Sequence, residues 1–282
     1  MLLTLLTFNV LQLQFKGSRR RARSALRVIE QADPDVVVLN EAFNRQAHAL
    51  VAQLSASGYH ASPYLGGFGG AWTGVSGRRR GLRRLIGGGV YVLSRFPIEA
   101  QYQHVYRSVR HRTTERFSNK GVVLVKLCPF GEPLWVAGTH LHADERGNCH
   151  PERMAQLAEI RATVSATVPG GEPVVLAGDL NVEYYRVDAD GRPGQPGTDW
   201  AGADLAVGGR IAPQESIHDF TFDGTLNFLV HRDSPRYRNV LDYVGTIETG
   251  GELSISTQTL RFLPGPEASD HFPVLATITM PG

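Results

Sequence analysis

The chain has 282 residues, of which 42% are hydrophobic and 20% charged, and its formal net charge is +2. That apolar fraction excludes an intrinsically disordered chain. Scattered Gly and Pro without a heptad exclude collagen-like and coiled-coil chains, and no run reaches the roughly 18 apolar residues of a membrane span. At about 100–200 residues per domain the length allows one large domain or two small ones. No linker, repeat or low-complexity block divides it, so a single domain over residues 1–282 is expected.

The elements follow in chain order. Leu2–Val10 reads as a buried strand. Arg19–Ala32 is helical, because Ala22, Ala25, Leu26 and Ile29 form one apolar stripe with arginines opposite. Asp33-Pro34-Asp35 breaks it before a short apolar strand, Val36–Asn40. A second helix covers Arg45–Ser57 and stops at Gly58. Gly66–Gly88 is rich in Gly and Arg, without periodicity, and reads as a long loop of the kind that is functional or disordered. Strands resume at Gly89–Leu93, Gly121–Cys128 and Leu134–Thr139. A helix then starts near Pro151, a residue suited to the first helical position, and runs to about Val168. A strand at Val174–Ala177 precedes a polar, loop-rich region to about Val240, and strands at Leu241–Ile247 and Pro273–Ile278 close the chain. Alternating helices and strands indicate a layered α/β fold.

Of the 29 cations, 26 are Arg. This is either a base-composition bias of the gene or a supply of bidentate phosphate partners. The arginines cluster at Arg19, Arg20, Arg21 and Arg23, and again at Arg78, Arg79, Arg80, Arg83 and Arg84. Each cluster is either a solvated face or a contact for a polyanion or a lipid headgroup. Cys128 lies at the far end of its strand, roughly 25 Å from the beginning, and the returning strand carries Cys149 to the opposite end. A disulfide is therefore not expected. The N-terminus, Met-Leu-Leu-Thr-Leu-Leu-Thr-Phe-Asn-Val, has no basic segment and no small-residue cleavage site. Both points give the expectation of a cytoplasmic protein, or of a secreted one if a signal was removed before this numbering.

The informative pattern is a recurrence at strand ends. Apolar runs terminate in residues that a core would not accept: Leu5–Phe8 at Asn9, Val36–Leu39 at Asn40 and Glu41, Trp135–Thr139 at His140, and Val174–Gly178 at Asp179 and Asn181. Asp270 and His271 precede the last strand. In layered α/β folds, sites are built at such ends. Carboxylate and amide oxygens without thiolates suit a hard ion such as Mg2+ rather than zinc.

These residues lie in an ordered set: Thr7–Val10 (Thr-Phe-Asn-Val), Leu39–Phe43 (Leu-Asn-Glu-Ala-Phe), Gly138–His142 (Gly-Thr-His-Leu-His), Gly178–Asn181 (Gly-Asp-Leu-Asn), Leu241–Val244 (Leu-Asp-Tyr-Val) and Ser269–Val274 (Ser-Asp-His-Phe-Pro-Val). The set resembles the endonuclease/exonuclease/phosphatase superfamily and spans nearly the whole chain. Asn-Glu-Ala-Phe-Asn at 40–44, the stretch 88–98 and Phe-Ser-Asn-Lys-Gly-Val at 117–122 resemble the neutral sphingomyelinases within it. Before Leu241 stand Asn239 and Val240, where nucleases of the superfamily often have Arg. Asn40 and His142 depart from the family, which often carries Gln at both positions. The stretch from Val244 to Ser269 is short and lacks an obvious exposed aromatic pair of the kind secreted bacterial sphingomyelinases use to enter membranes.

The resemblance implies a DNase I-like four-layer α/β sandwich, in which two packed mixed sheets are flanked by helices, and Mg2+-dependent phosphodiester hydrolysis, with Mn2+ or Co2+ as substitutes. It implies Glu41 as the principal metal ligand with Asn9 beside it and Asp270 on the metal side. His271 would be the general base, with Asp242 fixing its tautomer. Asp179 and Asn181 would position water and substrate oxygen, His140 would donate to the phosphate, and Lys120 is a further phosphate contact. The expected substrate is a phospholipid or sphingolipid met by a monomer in peripheral contact with a membrane. A nucleic acid is the rival, since arginine clusters could track its backbone, and a soluble phosphodiester or inositol phosphate is a third reading. A catalytically silent module would have no reason to keep these carboxylates together. Choline recognition would need an aromatic cage, for which Trp72, Tyr106, Tyr184, Tyr185 and Trp200 are candidates that sequence alone cannot bring together.

Overall fold

A computed structural model describes residues 1–13, 18–67, 71–77, 86–110, 112–145, 147–188, 190, 192–197, 199–211, 219–261 and 268–280. Among these residues the chain builds two mixed sheets. The six-stranded sheet runs in the spatial order Ser254–Thr259, Val274–Thr279, Leu2–Gln12, Val36–Ala42, Tyr91–Ser94, His60–Ala61. The seven-stranded sheet runs Gly209–Arg210, Asp242–Ile247, Val174–Asp179, Leu134–His140, Gly121–Leu127, Ala100–Val105, Gly74–Gly77.

Both faces of each central strand are covered, which is why these strands read as nearly continuous apolar runs. Alternate residues take opposite sides. Leu3, Leu5, Val36, Val38 and Val92 point between the sheets, where they meet Val123, Val125, Val136, Val175 and Val244. Leu6, Phe8, Val37 and Leu39 point outward against helices α1 (Arg19–Ala32) and α2 (Arg45–Ala56), through Ala25, Ile29, Leu50 and Leu54. On the other outer face, Leu124, Trp135 and Leu176 pack on α3 (His150–Thr167) through Leu157, Ile160 and Val164, and on Ala203 of α4 (Asp199–Val207). The result is the expected four-layer sandwich.

Several expectations need correction. Within Gly66–Gly88, the segment Gly74–Gly77 is a strand paired in parallel with Ala100–Val105. The second arginine cluster of that stretch lies outside the described residues. The polar region before Val240 contains α4, the short helix α5 (Phe228–His231) and small strand pairs. Ser254–Thr259 is an edge strand whose residues alternate between exposed and half-buried, so its Ser/Thr pattern carries no apolar signal. Cys128 and Cys149 are free, as expected. No helix among the described residues is long and apolar enough to cross a membrane.

Two glycines let the site end close. A Cβ on Gly138 would lie 2.7 Å from Val92 Cγ2 and 3.1 Å from Val38 Cγ1, so the sheets approach closely just before His140. Gly178 adopts φ +152°, and a Cβ there would fall 1.9 Å from the Thr139 carbonyl oxygen. Only glycine lets these neighbouring strands deliver His140 and Asp179 side by side.

Candidate active site

The pairing register brings the strand ends together. His140 stands opposite Asp179, Asp179 opposite Asp242, and, in the other sheet, Asn9 opposite Asn40. The two sheets are then joined by amides. Asn9 Nδ2 donates to Asp179 Oδ2 at 2.9 Å. Asn40 Nδ2 donates to the Thr139 carbonyl at 2.6 Å, and Asn40 Oδ1 accepts from the Asp179 backbone N–H at 3.1 Å. Asn40 is wholly buried. The sequence marks it as a strand-end residue and as a departure from the family; the structure shows that it ties one sheet to the other beneath the site.

His271 and Asp242 form a dyad, with Nδ1 2.7 Å from Asp242 Oδ2. That contact leaves Nε2 facing Asp179 Oδ2 at 3.8 Å. Burial alone would lower the imidazole pKa, but Asp242, Asp179 and Asp270 outweigh it and hold His271 well above its ordinary value. Burial and then the neighbouring Asp242 push Asp179 up to about 6. Its Oδ1 accepts the backbone N–H of Asn181 at 3.0 Å, and Asn181 sits at φ +51°, held by its amide on the Leu141 carbonyl at 3.2 Å.

His140 is buried and its pKa is lowered well below the ordinary value, by burial first and then by Lys120. Lys120 Nζ donates to Glu115 Oε1 at 2.6 Å, to the Leu141 carbonyl at 2.9 Å and toward His140 Nε2 at 3.2 Å. An ammonium can only donate, so Nε2 is an acceptor and the proton of neutral His140 rests on Nδ1, a buried atom with no protein partner. Lys120 was expected to touch phosphate. In the structure its ammonium engages these three groups, and after burial it is the next influence that lowers the His140 pKa.

Glu41 has a poorly compensated carboxylate. It adopts φ +54°, a region costly for a non-glycine residue and one that persists where the surroundings enforce it. Its Oε2 is buried without a hydrogen-bond partner. Burial and the adjacent Asp270 push its pKa up to about 7, while His271 and Lys120 pull the other way. An orphaned carboxylate oxygen beside a second carboxylate and an amide, with no thiolate, fits a hard divalent cation. Asp179, Asp242 and His271 also offer atoms within 4.8 Å of one another. There, however, the imidazole is hydrogen-bonded to Asp242 Oδ2, an arrangement that suits proton handling, while Asp242 Oδ1 is buried without a partner.

Arg21, in the first arginine cluster, donates to the Leu11 carbonyl at 3.0 Å, and its charge is felt by Asp270 and Glu41. Sequence alone gave no sign of this. The histidines without motif support are structural or solvated where described: His104 bridges Ser76 and Glu159 at 2.9 and 2.8 Å, whereas His60 is exposed. Of the proposed cage residues, Tyr106 is core and hydrogen-bonds Thr139 at 2.5 Å. Trp72 packs between the sheets. Tyr184, Tyr185 and Trp200 do meet, but on one another: Tyr184 packs edge-on to Tyr185 and stacks on Trp200, with ring centroids 4.8 and 5.5 Å apart.

Two mixed sheets packed face to face, with one cluster of carboxylates, amides and histidines at their shared end, define a DNase I-like sandwich. The chain matches the Endonuclease/Exonuclease/phosphatase family over residues 6–271, and it belongs to that family. Sphingomyelinase C of Listeria ivanovii is 35% identical over 167 residues, which cover 56% of this chain and 49% of the relative. The chain spans about half the length of the first curated relatives it matches. The crystal structure of sphingomyelinase C from Streptomyces griseocarneus superposes with a TM-score of 0.85 at 26% identity, covering 98% of this chain and 99% of that one. A Staphylococcus aureus beta toxin mutant with bound magnesium ions gives a TM-score of 0.85 at 25% identity, again over 98% and 99%.

Proposed function

We propose that this chain is a Mg2+-dependent phosphodiesterase of the sphingomyelinase C type, which hydrolyses a phospholipid or sphingolipid and releases the phosphorylated headgroup. The observation that carries this reading is the Asp242–His271 dyad set beside Glu41, whose Oε2 is buried without a hydrogen-bond partner. Glu41, Asn9 and Asp270 are the residues to hold the ion, and Mn2+ or Co2+ would suit the same oxygen donors. Bound there, the ion would neutralise a phosphate oxygen and polarise phosphorus as a Lewis acid.

The protein groups then divide the proton work. His271 Nε2 takes a proton from the attacking water while Asp242 holds its Nδ1 proton in place. Only neutral imidazole can do so; the three carboxylates raise the His271 pKa, and positive charge beside Glu41 and Asp270 would favour the neutral form. Asp179 and Asn181 orient the water, and His140, kept neutral by burial and by Lys120 and lying beside Asp179, assists at a phosphate oxygen. The phosphorus–oxygen bond to the lipid alcohol breaks, the departing oxygen takes a proton from solvent, and His271 returns the proton it accepted to solvent.

The test is Mg2+-dependent headgroup release from mixed micelles of sphingomyelin, phosphatidylcholine and phosphatidylethanolamine, with duplex and abasic DNA in parallel and His271→Ala as blank. Release of a phosphorylated headgroup, lost in the variant, supports the proposal. Cleavage of DNA with intact lipids overturns the substrate class and leaves the site standing.

A further inference from the structure

The outer face of the six-stranded sheet carries a feature that the chemistry above does not use. Between the first turns of α1 and α2 lies a groove of about 330 Å³, walled by Arg19, Arg23 and Arg45 and floored by Ala22, Ala49 and Leu50. None of these three guanidinium groups has a carboxylate or hydrogen-bond partner among the described residues, and all three arginines are exposed.

Their placement opposes local helix preferences. Arg19 and Arg45 open their helices, Arg20 and Arg21 follow Arg19, and neither helix has an acidic residue in its first turn. Cations there face the positive end of the helix dipole and destabilise the helix. A local choice that works against the fold marks a site where another requirement holds.

The groove is also at the catalytic end. Gln12 ends the strand that carries Asn9. Its side chain accepts from the Ser18 N–H at 3.0 Å and from Asn44 Nδ2 at 3.2 Å. Ser18 and Asn44 are the N-caps of α1 and α2, so one residue fixes both helix starts beside the site. Arg21, between Arg19 and Arg23, already acts on Glu41 and Asp270.

We propose that this groove docks the phosphate of an anionic phospholipid headgroup and so seats the catalytic end on a negatively charged bilayer. The choice of a lipid over a free phosphate rests on the reading of the active site as lipid-cleaving. Arginine forks suit phosphate oxygens, and the apolar floor suits the glycerol backbone that follows them.

The experiment is co-sedimentation with vesicles of phosphatidylcholine, with and without phosphatidylglycerol. Sphingomyelin is omitted so that binding is read without turnover of that lipid. The wild-type protein should partition more strongly onto the anionic vesicles, and salt should weaken that preference. The triple variant Arg19→Gln, Arg23→Gln, Arg45→Gln should lose about fivefold per arginine, about a hundredfold in all. It should keep wild-type thermal stability or exceed it, and should hydrolyse a monomeric short-chain sphingomyelin at the wild-type rate. Equal partitioning of variant and wild type, or indifference of the wild type to phosphatidylglycerol, overturns the proposal. So does displacement of the wild type from anionic vesicles by an equal concentration of glycerol phosphate, which would make the ligand a soluble anion. Groove-dependent binding by a protein that cleaves no lipid would instead retire the catalytic reading and leave the groove in place.

Discussion

Asn40→Ala should destabilise the protein far more than the loss of a small polar side chain suggests. Asn40 is wholly buried and serves two backbone groups of the opposite sheet, the Thr139 carbonyl at 2.6 Å and the Asp179 N–H at 3.1 Å. Truncation strips a buried acceptor and a buried donor together. Each group left unpaired costs about 1–3 kcal/mol, so the pair costs about 2–6 kcal/mol. Against a typical stability of about 5–15 kcal/mol that is a large fraction. Urea unfolding should show a lower midpoint with an unchanged slope, since the surface exposed on unfolding hardly changes. Turnover should fall more than apparent substrate affinity, because the freed backbone is that of Asp179. A loss below about 1 kcal/mol would mean that Asn40 does not hold the sheets together.

Three further outcomes follow from the same geometry. Mg2+ should stabilise the wild type against heat, by about 2.7 kcal/mol at a hundredfold excess over its dissociation constant. Glu41→Gln should lose that stabilisation while raising the stability of the metal-free protein, read by differential scanning calorimetry; equal metal stabilisation in both would remove Glu41 from the metal site. Gly138→Ala should cost about 1–3 kcal/mol through the clash with Val92 and lower activity by displacing His140, read by denaturation and turnover together. Burial alone would raise the Glu159 pKa, but hydrogen bonds from His104, Arg107 N–H and Ser108 N–H outweigh it and hold it below its ordinary value of 4.5. A carboxylate depressed in the folded state contributes stability above its unfolded pKa and loses it as pH falls through the folded one. Glu159→Gln should therefore flatten the acid limb of stability below about pH 4.5, measured as denaturation midpoint against pH.

How much of this was legible beforehand depended on whether a residue acts within its own strand or across the fold. Asn9, Glu41, His140 and Asp179 each stand out because an apolar run ends in a group that a core rejects; His271 stands just before the last strand, Asp242 was marked by the family resemblance, and the structure gathers all six at one end. Lys120 was visible as a candidate, but its partner Glu115 was not, because their contact depends on how a single turn of helix folds back over the strand start. Asn40 hid in plain view, since the two hydrogen bonds it makes to the other sheet reach residues about a hundred positions or more away in sequence. The strand Ser254–Thr259 escaped for another reason: an edge strand with one partner needs no continuous apolar run. Arg21 looked like its solvated neighbours because only helical phase, fixed by Ser18 and Gln12, turns it toward Asp270.

The most direct test of the central claim follows the oxygen of water. Hydrolysis of sphingomyelin in heavy-oxygen water with Mg2+ should place the label in the released phosphorylated headgroup, as read by phosphorus NMR, with no release by His271→Ala. Label in the lipid alcohol, or phosphate retained on the lipid while free choline appears, would contradict attack of water on phosphorus on the lipid side of the ester.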